Sequence, residues 1–386
     1  MSLSANKTIH IDVFLGCAPM LETRLCRGLL EFGQTHQNWR FTLRNADFRY
    51  TKENLKHSQV AGVLVLVNAK TIQRSLNKMG LPWVHLLPGE HNEHPNIRAD
   101  DLAIGRTGAE FFLEKGFLKC AFCGVNTKWS KARKRGFQQR LQMAERPFDF
   151  FEVPLRQADW EIDPEADSRL LVWLASLGKG VAIMAAHDIL ANRLVDLCLR
   201  SGLRVPQDIA ILGVGNHDLL CKLSPVAISS IDAAVPEIAI HGALMLKALL
   251  SGEGPPNEVI LPNGVEERRS TDMLHYGDDL VVKVVTYIRD HICEGLTTKD
   301  IVANFPLSQR TLARRFEKYV GHSPAEEIRQ SRYRTSRKMI TQTQLSLTKI
   351  AIACGYSDLP HMDRAYRELG GILPSKIRKM VYPKSY

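Results

Sequence analysis

Arg310 and Arg314 stand one helical turn apart in Ser308-Gln309-Arg310-Thr311-Leu312-Ala313-Arg314-Arg315-Phe316. Leu312 and Phe316, four residues apart, mark the face such a helix would bury, which leaves Arg310, Ala313 and Arg314 pointing outward. A guanidinium so placed can donate two hydrogen bonds to the edge of a guanine, the commonest base-specific contact in the major groove. About fifty residues later the pattern returns: Phe316, Gly321 and Pro324 recur as Tyr366, Gly371 and Pro374. Self-similarity at a fixed offset marks a repeated supersecondary unit. Each copy reads as a short helix, a turn and a second helix bearing arginine, the layout of a helix-turn-helix.

The two copies differ in what they offer. Ser308 is expected to cap the first recognition helix, after the stop at Asn304-Phe305-Pro306. In the second copy Ser357 is the expected cap, and Pro360 falls in the first turn, where a missing N–H costs nothing. Met362 and Tyr366 would face inward there, leaving Leu359, His361 and Arg364 for DNA. Leu359 and Pro360 replace polar residues, although Leu359 could touch a thymine methyl. Residues 325–340 read as a joining helix carrying Arg329, Arg332 and Arg337 towards phosphate. From Tyr276 onward there are about 19 Lys/Arg against 11 Asp/Glu, and the whole chain carries +10. A basic tail on a nearly neutral body implies a polyanion partner for the tail alone.

Other chemistry is thinly represented. Cys120 and Cys123 form a CxxC inside a predicted strand, whose alternation points them to opposite faces. No second CxxC or CxxH stands nearby to complete a zinc site, so no metal is expected, and the eight cysteines read as reduced. Gly213-Val214-Gly215 is only half of a dinucleotide fingerprint, and there is no phosphate-cradling loop, GxSxG or HExxH. The chain is expected to hold no catalytic residues and no cofactor. With no apolar run of membrane-spanning length and no leader, it is expected to be cytoplasmic, with no membrane partner.

The elements that must position these residues come next. At 386 residues two or three domains are expected. Strands are predicted over 9–15, 60–67, 83–87, 119–123, 150–153, 181–185 and 209–214. Helices are predicted over 22–35, 101–114, 131–143, 168–177 and 189–201. Such alternation builds parallel sheets with helices on both faces. Ligands of these sheets bind beyond the strands' C-terminal ends, so two sheets would make two lobes around a ligand cleft.

Residues 8–272 resemble the sugar-sensing core of LacI/GalR-type repressors, which have the periplasmic-binding-protein fold. The residues carrying this are Trp129-Ser130-Lys131-Ala132-Arg133-Lys134-Arg135-Gly136-Phe137, Ala185-Ala186-His187-Asp188 and Val205 to Asn216, extended by segments 227–232 and 267–271. Residues 277–380 resemble an AraC/XylS-type DNA-binding domain, on Thr297-Thr298-Lys299-Asp300 and on segments 308–316, 321–324, 350–356 and 371–378. The order of the two is that of regulators of xylose operons. The resemblance implies an α/β two-lobed periplasmic-binding-protein-like sensor, residues 8–272, followed by an all-α double helix-turn-helix domain, residues 277–386. It implies a homodimer that binds half-sites on double-stranded DNA, a small sugar effector such as xylose, and activation of a sugar-utilisation operon.

Within the implied cleft, Arg133 would grip vicinal hydroxyls with its planar fork and Trp129 would stack on the sugar. Glu22, Asp100, His187, Asp188 and Asn216 would add polar contacts. Four of these have a plain structural alternative: a surface salt bridge for Arg133, a core aromatic for Trp129, and helix N-caps for Asp100 and Asp188. Two features depart from the LacI pattern. The chain enters the first sensor strand at Ile9 with no DNA-reading headpiece before it, so DNA reading is expected at the other end. Gly215 stands where an aspartate usually grips the sugar, which widens the implied effector to a pentose or other small sugar. The alternatives are a different small ligand, or a sugar-binding module with a weakened DNA domain. AraC-like helices also accompany DNA-repair alkyl transferases, but those need a four-cysteine cluster that is missing here.

Overall fold

The computed structural model describes residues 8–16, 19–45, 47–48, 59–66, 70–87, 94–154, 165–369 and 372–381. Gly371, the second glycine of the repeat, and Val67, the end of a predicted strand, lie outside the described residues. The chain divides into two compact units. The first comprises the residues up to Phe112 and Lys119–Asp272, and the second comprises Leu113–Leu118 and the residues from Met273 onward.

The first unit begins with β1 (Ile9–Phe14), α1 (Pro19–Thr35), β2 (Trp39–Arg44), β3 (Val60–Val65), α2 (Lys70–Met79), β4 (Trp83–Leu86) and β5 (Asn96–Ala99). It continues with α3 (Asp101–Glu114), β6 (Lys119–Val125), α4 (Lys128–Met143), β7 (Phe148–Val153), α5 (Ala166–Leu177), β8 (Val181–Ala185) and α6 (Asp188–Arg200). The remainder is β9 (Ile209–Val214), α7 (Asp218–Leu223), β10 (Ser229–Asp232), α8 (Val235–Leu250), β11 (Glu258–Ile260) and β12 (Gly264–Glu266).

Two six-stranded sheets result, ordered β11-β5-β4-β3-β1-β2 and β12-β10-β9-β8-β6-β7. All their pairings are parallel except β10 with β12. Every residue of β8 and β9 is buried, as central parallel strands covered on both faces must be. The chain passes between the sheets three times: from β5 to α3, from β10 to α8, and from β11 to β12. Each sheet is thus the core of one lobe.

The second unit is helical. It contains α9 (Asp279–Asp290), α10 (Thr298–Asn304), α11 (Gln309–Tyr319), α12 (Pro324–Gln342), α13 (Leu347–Ala353), α14 (Leu359–Leu369) and α15 (Pro374–Val381). The Thr297/Asp300 pair closes a capping box at the start of α10. Two separate cores form. Ile301, Leu312 and Phe316 gather with Val284, Val285 and Ile288 of α9, while Ile350, Met362 and Tyr366 gather with Tyr356 and Ile377. Helix α12 serves both, giving Ile328 to the first and Ile340 to the second.

Candidate functional site

Because β6, β8, β9 and β10 run parallel, their C-terminal ends lie along one edge of the second sheet. The residues just past those ends are Trp129, His187, Gly215 and Asn216, with Asp232 closing β10. Arg133, one turn after Trp129 on α4, lies over its ring, 4.7 Å from the centroid. The Arg133 guanidinium donates to Asp101 (2.9 Å) and to the Ala186 carbonyl (2.6 Å). Asp100, at the β5–α3 crossing, accepts from the Ala103 amide at 2.8 Å and so caps α3. Arg133 and Trp129 therefore meet at the strand ends, with Arg133 already engaged by protein oxygens.

His187 is the N-cap of α6, its Nδ1 accepting from the Leu190 amide at 3.2 Å. Burial, with the Arg133 charge second, holds its pKa at about 3, so the ring is neutral. Asp188 is buried and accepts from the His217 amide (2.8 Å) and the Ser230 hydroxyl (2.5 Å). Burial raises its pKa, and those hydrogen bonds pull the other way. Its carboxylate explains the glycines of β9 and beyond. A Cβ at Gly213 would stand 2.2 Å from Asp188 Oδ1, and one at Gly215, where φ is +120°, 3.3 Å from Oδ2. An aspartate at 215 would be strained and set beside a second buried carboxylate.

Asn216 is bonded through backbone and side chain: its backbone amide donates to Ser230, and its Oδ1 accepts from Arg268 at 2.8 Å. Glu22 accepts from the Gly16 amide at 2.7 Å, tying the β1–α1 loop. Asp188, Asn216, Glu22 and Asp100, expected as effector contacts, thus all carry structural bonds. The residue that spans the lobes was not foreseen. Arg24 of α1 donates to both Asp232 oxygens (2.8 and 2.9 Å), to the Asn216 carbonyl (2.6 Å) and to that of Gly215. Asp232 lies 208 positions along the chain from Arg24, too far for any local pattern to connect them. Glu237, at the start of α8, is held by Asn263 through one oxygen, and its other oxygen is buried with no hydrogen-bond partner.

In the second unit Arg310, Ala313 and Arg314 are exposed on α11, as is Gln309, which sequence reasoning passed over. Ser308 caps α11 by accepting from the Thr311 amide. On α14, His361 and Arg364 are exposed. Three expectations need correcting. Asp358, not Ser357, accepts the His361 amide (2.7 Å), while Ser357 bonds the His361 ring. Leu359 is half-buried against the second core, because an apolar side chain next to Met362 gains more from that contact than from water. Arg332 turns inward and donates to the Leu296 carbonyl at 2.9 Å. Arg329 pairs with Glu326 and Glu368, and Arg337 remains exposed. No group of His, Cys, Asp and Glu suited to a metal occurs among the described residues.

Residues 109–271 match the periplasmic binding protein-like domain family, and residues 301–380 match the helix-turn-helix domain family. The chain is a DNA-binding transcription regulator in which a periplasmic-binding-protein-like sensor precedes an AraC-type helix-turn-helix domain. In particular it is similar to the xylose operon regulatory protein of Escherichia coli K12, 26% identical over 385 residues and 97% of each chain. The protein of that name from Haemophilus influenzae is 28% identical over 291 residues, 74% of each chain. Among solved structures it resembles that of the xylose-binding transcription activator XylR, with a TM-score of 0.60 and 25% identity over 97% of this chain and 99% of that one. The relatives are regulators, not enzymes. No helix among the described residues is long and apolar enough to cross a membrane.

Proposed function

We propose that the cleft between the lobes binds a small sugar, xylose or a related pentose, and that this ligand controls activation of a sugar-utilisation operon. The observation that carries the reading is the Trp129–Arg133 pair at the strand ends of a two-lobed sensor. It occurs in a chain aligned over 97% of its length with a xylose operon regulatory protein. The aromatic ring suits a sugar's apolar face, and the guanidinium suits paired hydroxyls. Glu237, with its unpaired buried oxygen, is an acceptor beside Asp232 and Arg24 that could take over the role Gly215 cannot fill. A buried sugar hydroxyl left unpaired would cost about 1–3 kcal/mol.

The protein acts in this reading as a cytoplasmic homodimer, with Arg310, Ala313, Arg314, His361 and Arg364 towards bases and Arg337 towards phosphate. A thermal-shift screen of the full chain with D-xylose, L-arabinose, D-ribose and a hexose tests the effector. Bound ligand raises the melting temperature with the logarithm of its concentration over Kd, and Trp129→Ala should abolish that rise. Stabilisation by xylose that is unchanged in Trp129→Ala would move the effector away from this pair. Arg133→Ala is the poorer test, because it also removes the bonds to Asp101 and Ala186.

A further inference from the structure

Helix α3 starts in one unit and ends in the other. In its first turn Asp101 holds Arg133. The helix lies on α4 with no side chain between the two at the closest points. A Cβ at Gly105 would stand 2.0 Å from the Arg133 carbonyl oxygen, and one at Gly136 would stand 2.1 Å from that of Leu102. Backbones packed so closely have no room to slide independently. Arg133 is thus tied to α3 twice, by backbone contact and by an ion pair.

The other end of α3 is held by different groups. Leu113 and Glu114, with the turn through Leu118, belong to the second unit. The Glu114 carbonyl accepts from the Tyr276 hydroxyl and from Arg289 at 3.0 Å. The last carbonyls of a helix lack donors of their own, and a cation there also offsets the helix dipole. The Glu114 carboxylate lies 3.4 Å from Arg334 of α12, whose other terminal nitrogen donates to buried Glu327 at 2.7 Å. The Lys115 carbonyl accepts from the His275 amide at 2.8 Å. Gly116, with φ at +82°, leaves room for the Tyr276 ring, which stands 2.4 Å from where a Cβ would be. Helix α12 is the one that joins the two helix-turn-helix cores.

We infer that α3 is the element through which the effector reaches the DNA-reading unit, with Glu114, Tyr276 and Arg289 as its coupling residues. This rests on the effector reading of the cleft. A ligand bound to the remaining N–H donors of Arg133 pulls on a guanidinium whose Nε is held by Asp101 and whose Nη1 is held by the Ala186 carbonyl, so it alters the bonds of the first turn of α3. With 14 residues, the helix carries that change along about 21 Å as one hydrogen-bonded rod. Its last carbonyl lies among the donors of the second unit. Coupling of this kind is reciprocal, so DNA must act back on the cleft by the same factor.

The test uses the full chain, the double variant Tyr276→Phe/Glu114→Gln, and Arg315→Met as a control that breaks the Asp278 ion pair (2.6 Å) of the same unit. Phenylalanine keeps the ring on Gly116, so the packing survives. Two quantities are read. One is the ratio of affinities for the promoter DNA flanking the gene, with and without D-xylose. The other is hydrogen-exchange protection of residues 100–105 and 128–136 when that DNA alone is added. The wild-type ratio should fall in the usual coupling range of about 5- to 150-fold. The control should keep it, and the double variant should bring it to within about twofold of unity while still binding each ligand singly. A double variant that keeps the wild-type ratio overturns the inference, as does a control that loses it alike. If D-xylose, L-arabinose and D-ribose all leave the wild-type melting unchanged, the effector reading has failed and the exchange arm decides the coupling. DNA-induced protection that survives in the double variant then overturns it, and protection lost only there upholds it.

Discussion

The two recognition helices stand on one scaffold and present different faces. Leu312 and Phe316 anchor α11, and Met362 and Tyr366 anchor α14 at the same spacing, each of the four at most 1% exposed. Outward, α11 offers Gln309, Arg310, Ala313 and Arg314, whereas α14 offers Pro360, His361, Arg364 and Arg367. The His361 ring is further held by Ser357 at 3.1 Å. The difference shows that the apolar positions of a repeat and its reading positions answer to separate physics. Packing density constrains the first set to near identity, while the second touches only its ligand and is free to diverge.

The largest effects test the shared scaffold. Phe316→Ala and Tyr366→Ala should each cost about 3–5 kcal/mol of stability in the second unit, as large-to-small changes at fully buried aromatics do. Denaturant unfolding of the full chain, followed by circular dichroism at the helical band, measures this. All five tryptophans of the sequence precede residue 273, so their fluorescence follows the first unit separately. A cost below about 1 kcal/mol at either position would mean that the two cores are not equivalent. The next effect separates the reading faces. A bidentate arginine–guanine contact discriminates by about 1–3 kcal/mol, and α11 presents Arg310 and Arg314 where the equivalent positions of α14, about fifty residues on, are Pro360 and Arg364. Saturation mutagenesis of the operator, scored by binding, should find base sensitivity concentrated in the segment read by residues 308–316. Arg314→Ala should relax it at one or two positions. Equal sensitivity in the segment read by α14 would break the asymmetry.

A third contrast lies on α12, the helix that both helix-turn-helix cores share. Arg337→Ala should weaken binding to all sequences about equally and lower the salt slope by about 1. Arg332→Ala should leave that slope unchanged and lower stability, since its guanidinium serves the Leu296 carbonyl. Salt titrations of both variants on one duplex distinguish the two roles.

Much of this was legible from sequence because it is local. Leu312/Phe316 and Met362/Tyr366 declare their helices by a spacing of four, and the apolar runs of β8 and β9 declare buried parallel strands. What escaped was short, distant or, like the 16-residue α8, so uniformly apolar that few polar residues mark a helical period. Strand β5 has four residues and α7 six, too few for a period to emerge. Arg24 and Asp232 meet only after the whole sensor has folded. Arg332 was misread because α12 buries more of its circumference than a helix with one apolar stripe would. Serving two cores, it has inward positions that sequence periodicity assigns to solvent. The residues at the strand ends could be named from sequence but their bonds could not, since Asp188 and Asn216 are occupied by partners from β10 and from the segment around Arg268.

The smallest effect tests the caps, where the two copies were expected to match and do not. Ser308 accepts from the Thr311 amide at 3.2 Å, and Asp358 accepts from the His361 amide at 2.7 Å. Both satisfy a first-turn donor that the helix itself cannot. Ser308→Ala and Asp358→Ala should therefore each cost about 1 kcal/mol, whereas Ser357→Ala, at the position sequence alone would choose, should cost less. The aspartate adds a charge at the helix N-terminus, worth roughly 0.3–1 kcal/mol and screened by salt. The Asp358 variant should accordingly lose part of its deficit at high ionic strength, and the Ser308 variant should not. Unfolding midpoints of the three variants at low and high salt measure this. A Ser357→Ala cost equal to that of Asp358→Ala would return the cap to Ser357 and restore the symmetry of the two copies.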